Sequence, residues 1–113
     1  MVTHAVLFAP RPDLSAEERR ALVGAFERAL REIPTVRGAR VGRRILHGAA
    51  YETHAPGTTA YLVLIDFDDV AGLQEYLRHP AHEELGARFG QSLASGTVYD
   101  FEEIPIDRIG EAV

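Results

Sequence analysis

Cysteine is absent from this chain, and with it go disulfides, thiolate nucleophiles and cysteine-ligated zinc. Lysine is missing too: all twelve basic residues are arginine, a compositional bias that carries no functional weight. No apolar run approaches the roughly 18–20 residues that cross a bilayer. No basic region precedes the short N-terminal apolar stretch and no cleavage site comes after it, so a signal peptide is not expected and the expected compartment is the cytoplasm. Positive charge is in short supply. The net charge of −5 argues against a nucleic-acid partner, which would draw on concentrated basic surface. No serine sits in a nucleophile-elbow context, and no glycine-rich loop is built to cradle a phosphate. Glu83/Glu84 and Glu102/Glu103 are sequence neighbours that point apart, so neither pair serves as glycosidase carboxylates. There is no internal repeat or low-complexity segment.

What remains is an ordinary globular composition. With 113 residues, 46% apolar and 26% charged, the chain makes one domain with one core. Residues 1–104 form that domain and 105–113 a tail. Val2 to Ala9 reads as a strand, with Val2, His4, Val6 and Phe8 on one face and Thr3, Ala5 and Leu7 on the other. Ser15-Ala-Glu-Glu18 is a capping box opening a helix. Leu22, Phe26, Ala29, Leu30 and Ile33 recur along it at helical spacing, Glu27 and Arg31 form an i,i+4 pair, and Pro34 stops it. Val36 to Leu46 reads as a second strand. Its arginines at 37, 40, 43 and 44 suit either an anion site or a solvated edge that deters aggregation. His47 to Thr59 is a loop by its Gly, Pro and Thr content.

Ala60 to Phe67 is the strongest strand and is apolar on both faces, so both need cover. A chain this short offers helices for only one. A second copy pairing through the sheet face is the simplest cover for the other. Asp68 or Asp69 caps a helix running to about Arg78, with Val70, Leu73, Tyr76 and Leu77 as its apolar stripe. Pro80 breaks it and opens another, since proline is favoured at the first helical position. That helix carries Leu85, Phe89 and Leu93 inward and ends at Gly96, and Thr97 to Phe101 is the last strand. The order is βαββαβ, with the last helical unit split. It predicts an α+β, ferredoxin-like protomer: a four-stranded antiparallel sheet with helices on one face.

The chemistry gathers around Glu75-Tyr-Leu-Arg-His-Pro-Ala-His-Glu-Glu84. His82 falls at the third position of the restarted helix, where the dipole disfavours a charged ring while Glu83 and Glu84 favour one. It reads either as a neutral general base or as a side chain satisfying local backbone groups. His79, ahead of Pro80, reads first as a cap at the helix junction and second as a substrate contact. Tyr76 lies on an apolar stripe, a core position whose hydroxyl could also hold a carbonyl beside His82. His4 is the polar exception on its strand face, and His54 an exposed loop residue. Two histidines make an incomplete metal site, so neither a metal nor a cofactor is expected.

Glu75-Tyr76 followed by His79-Pro80-Ala81-His82, just after a strand ending Asp66-Phe67, resembles the stress-responsive dimeric α/β-barrel (Dabb) domain family. His4, Ile33-Pro34 and Tyr99-Asp100-Phe101 fit the same pattern, which covers about residues 2 to 101. The resemblance implies protomers pairing sheet to sheet into a barrel. Its best understood enzymes, plant proteins of the olivetolic acid cyclase type, close a polyketide thioester by an aldol reaction. On that analogy His82 is the general base, Tyr76 polarises the carbonyl, and His4 and Phe26 line the substrate site with His79. Phe26 stands where the cyclase has a tyrosine, so the cyclase's own substrate does not carry over. The alternatives are a non-catalytic stress or ligand-binding protein, and a cofactor-dependent oxygenase or isomerase of a related dimeric-barrel group, which a haem absorption band would reveal.

Overall fold

The computed structural model describes residues 1–55 and 57–113. Four strands form one antiparallel sheet: β1 (Val2–Pro10), β2 (Gly38–Arg43), β3 (Tyr61–Phe67) and β4 (Leu93–Glu102), in the order β2-β3-β1-β4. The helices α1 (Ala16–Glu32), α2 (Val70–Arg78) and α3 (Pro80–Ser92) supply the other layer. This is the ferredoxin-like arrangement that the element order predicts.

The register sorts the two sheet faces. Val2, His4 and Val6 stand opposite Phe67, Ile65 and Val63. On β3 those three are the fully buried positions, and the core they share with Ala25 and Ala29 of α1, with Ile33 at its C-cap, and with Leu73, Tyr76 and Leu85 of α2 and α3 is continuous. The opposite face carries Leu7, Leu62 and Leu64, half-buried, and Tyr99 and Phe101 on β4, each 56% exposed. Among the described residues no helix covers it.

The capping box forms as the sequence implies. The Glu18 amide donates to Ser15 Oγ at 3.0 Å and the Ser15 amide to the Glu18 carboxylate at 3.1 Å. These bonds hold the Glu18 carboxyl below its usual range, with Arg11 adding to the effect. Ser15→Ala should lower stability by about 1 kcal/mol in urea unfolding. No change would mean that this helix end is held by packing alone.

Several boundaries differ from expectation. β2 is six residues long, because β3 offers partners only from Asp66 to Tyr61. The loop from 47 to 59 holds a 3-10 turn at Ala50–His54, whose Glu52 carboxylate accepts from the His47 and Gly48 amides, both at 2.9 Å; Pro56, within that loop, lies outside the described residues. Gly96 does not end α3. The helix stops at Ser92, where the Arg11 amide donates to the Ser92 carbonyl at 2.8 Å, and β4 begins at once with Leu93 opposite Pro10. Pairing with β1, through a register shift between Ala9 and Pro10, overrides the apolar spacing that would extend the helix. Glu27 and Arg31 form no ion pair; Arg28 instead binds Glu32 at 2.9 Å within α1 and Glu84 on α3, tying the two helices together. The tail folds into a 3-10 turn at Ile106–Arg108 and a one-turn helix, α4 (Ile109–Ala112).

Candidate functional site

Tyr76, His82 and His4 come from three elements and meet under the helices. Asp69 caps α2 by accepting from the Gly72 amide at 2.8 Å, and Thr35 donates to the Gly72 carbonyl at 2.8 Å, fixing the start of the helix that carries Tyr76. His79 then ends α2 and begins α3: its Nδ1 accepts from the Ala81 amide at 3.0 Å, with Pro80 at the first helical position. The junction cap is the role observed for His79, leaving only Nε2 for any ligand. This turn swings His82 back against Tyr76, their ring centroids 4.8 Å apart. His4, on β1, stacks edge-on to Tyr76 from the other side at 5.7 Å, and Phe67 closes the base at 5.2 Å.

Asp100, half-exposed on β4, completes the cluster, a role that the sequence pattern does not assign to it. It stands opposite His4 in the register, and His4 Nδ1 lies 2.6 Å from its carboxylate. An ionised carboxylate only accepts, so Nδ1 of His4 carries the proton in this contact. No local signal finds it: only the register in which Val2 meets Glu102 puts His4 and Asp100 on one face.

The electrostatics separate the roles. Tyr76 is 1% exposed, and burial pushes its phenol up to about 12, so it remains a neutral donor. Burial holds the His82 imidazole below its ordinary value, and the positive potential of His4 does the same; a backbone group of Leu77 and the Glu83 carboxylate act the other way, less strongly. His82 is half-buried and neutral near pH 7, the state a general base needs. Its NMR titration midpoint should therefore fall below 6.5. An unfolded chain takes up this proton near 6.5 and the folded one only at lower pH. The stability it contributes is thus complete above that value and lost as pH falls through the folded midpoint. Urea unfolding at about pH 7 and about pH 5 should show this loss, and His82→Gln should reduce it. A midpoint above 6.5 would point to a partnered, charged ring.

Phe26 lies elsewhere. It lines an apolar cavity of about 530 Å³ between α1, α3 and the sheet, with Phe8, Leu22, Val41, Tyr61 and Phe89 among its walls. That is the size of a small-molecule pocket. Neither Tyr76 nor any histidine lines it. The two features adjoin along β3: Val63 forms part of the cavity wall, and Ile65, two residues on, stands opposite His4. The arginines of the second strand do not converge: Arg37 pairs with Asp68 at 2.9 Å and Arg40 with Asp66 at 3.8 Å.

The sequence profile of the stress-responsive A/B barrel domain matches residues 2–103. The chain belongs to that family. Among solved structures, this barrel-domain protein is similar to the protein At3g17210 of Arabidopsis thaliana at 20% identity, covering 94% of this chain and 98% of that chain, with a TM-score of 0.76. Hydroxynitrile lyase from Passiflora edulis is 20% identical over 92% of this chain and 96% of its own, with a TM-score of 0.74. A dimeric protein of ferredoxin-like fold from Bacteroides fragilis is 25% identical over 90% and 95%, with a TM-score of 0.62. At these identities the lyase supports the fold and not its reaction. No curated protein matches the sequence.

Proposed function

We propose that this barrel-domain protein is a cytoplasmic homodimer, paired sheet face to sheet face, that binds an apolar, carbonyl-bearing small molecule and acts on it by acid–base chemistry of the lyase or cyclase type. The observation that carries this reading is the packing of a neutral, half-buried His82 and a protonated Tyr76 next to an apolar cavity. His82 would remove the proton next to the carbonyl, and Tyr76 would hold the oxygen on which charge develops. Phe26 would line the apolar part of the ligand. His4, oriented by Asp100, would position the Tyr76 ring, while His79 fixes the helix junction. The uncovered apolar sheet face and a dimeric relative support the pairing.

A second reading has its own support. Tyr76 and His4 are almost wholly buried and the cavity does not reach them, as suits a cluster that only stabilises the junction of a non-catalytic binding protein. A native mass spectrum of protein purified gently from its own host separates the two. A dimer carrying an organic mass that disappears on mutation of His82 and Tyr76 supports the site. An empty dimer that turns over neither cyanohydrins nor linear polyketide thioesters leaves the structural reading, and a monomer removes the pairing.

A further inference from the structure

We propose that two diagonally opposite corners of the sheet, Arg43-Arg44 and Glu102-Glu103, are complementary docking points that clasp a second copy of this chain and fix how it crosses the first. This rests on the proposed sheet-to-sheet pairing and adds to it a specific interaction surface outside the site.

β2 and β4 are the two edges of the sheet. The Arg44 amide donates to the Ala60 carbonyl at 2.8 Å and the Glu103 amide to the Met1 carbonyl at 2.9 Å. The two charged pairs are thus the last residues that each edge strand holds in register. Strand alternation puts Arg43 and Glu102 on the helix side, with Phe8 and Val2, and turns Arg44 and Glu103 to the uncovered face, where they make the contact. Arg43 stands opposite Tyr61, which stands opposite Phe8 at one end of β1; Glu102 stands opposite Val2 at the other end. Three strand spacings across and six residues along put the corners about 25 Å apart. That is far beyond ion-pair reach and well past the screening length of about 8 Å. Within one chain they cannot meet. Among the described residues none of these four side chains forms an ion pair, although Arg37 and Arg40 on the same edge both do.

The chain beyond each corner is apolar and strongly exposed. After Arg44 come Ile45 and Leu46, 74% and 70% exposed; after Glu103 come Ile104 and Ile106, 50% and 83% exposed. The chain has a radius of gyration of 15.7 Å, where a compact domain of this length has about 13 Å. A two-fold axis parallel to the sheet, midway between two sheets stacked about 10 Å apart and perpendicular to the line joining the corners, exchanges the two corners. It lays each basic corner on the partner's acidic one and each pair of exposed apolar residues on its counterpart. The contact is made twice, as an isologous pair requires. Charge complementarity of this kind fixes orientation and register more than it adds affinity.

Two double variants test this in sedimentation equilibrium at low salt: R43E/R44E and E102R/E103R. Each alone should raise the dimer dissociation constant by about tenfold or more, because both corners then face like charge. Strong salt should narrow the gap to the unmodified protein. Mixed in equal amounts, they restore both contacts at once, so native mass spectrometry should find heterodimer well above the roughly one half that random exchange gives. Should a reversal impair folding by circular dichroism, R43Q/R44Q should still raise the constant by about threefold. Variants that dimerise like the unmodified chain, or mix at random, would overturn the corner proposal while leaving the sheet pairing intact. An unmodified chain that stays monomeric at every concentration would overturn both.

Discussion

Replacing His82 with glutamine is expected to lower turnover by about 100- to 10,000-fold, the usual contribution of a positioned general base. Glutamine keeps a hydrogen-bonding group of similar reach and removes the titrating nitrogen, so fold and dimer should survive. His82 suits the test because it is the half-buried member of its cluster: Tyr76 and His4 lie deeper, and His79 is held by its cap on α3. Steady-state kinetics on a substrate of the proposed reaction would measure the loss. The drop should appear in kcat, since proton removal belongs to the transition state. Tyr76→Phe should also lower kcat, through loss of the donor to the developing oxyanion. A His82→Gln variant within about tenfold of the parent would remove the base from the mechanism. If the variant instead lost only stability, by about 1–3 kcal/mol, His82 would be a structural hydrogen-bonding residue.

Much of this site is legible in the amino-acid sequence, and the misses share one cause. Local chemistry is readable: Ser15 with Glu18, Asp69, and Pro80 behind His79 mark helix ends through bonds spanning no more than three residues, and all form. The helical stripe of α2 places Tyr76 inward, and the turn at Pro80 places His82 near it. Non-local pairing is not readable. Asp100 meets His4 across 96 residues of chain, and only the β1–β4 register brings them face to face. The same register takes Leu93 into a strand, where helical spacing alone gives it to a helix. Arg28 binding Glu84, in place of a Glu27–Arg31 pair, is a third instance, because the rotation of α1 against α3 chooses which charges meet. Phe26 is placed among the substrate contacts by resemblance, and its cavity wall is a property of packing that no spacing rule encodes.

The second large effect is expected at Phe67, where alanine should cost about 3–5 kcal/mol of unfolding free energy. Phe67 is 0% exposed, sits at the end of a central strand opposite Val2, and supports the ring of Tyr76 at 5.2 Å. Its removal leaves a void that neighbours on both the sheet and α2 would have to fill, and a domain of this size has only about 5–15 kcal/mol in hand. Urea unfolding should show the midpoint falling steeply with little change in slope. The comparison that gives the result meaning is Phe101→Ala on the uncovered face, 56% exposed in the single chain. If that face is bare, alanine there should cost under about 1 kcal/mol at any concentration. If a second copy covers it, the loss should be larger and the transition should depend on protein concentration, because dissociation is then linked to unfolding. Phe67→Ala should lower stability at every concentration, since its contacts lie within one chain. A Phe67 effect below about 1 kcal/mol would mean that the sheet and α2 are not packed as described, and the placement of Tyr76 beside His82 would go with it.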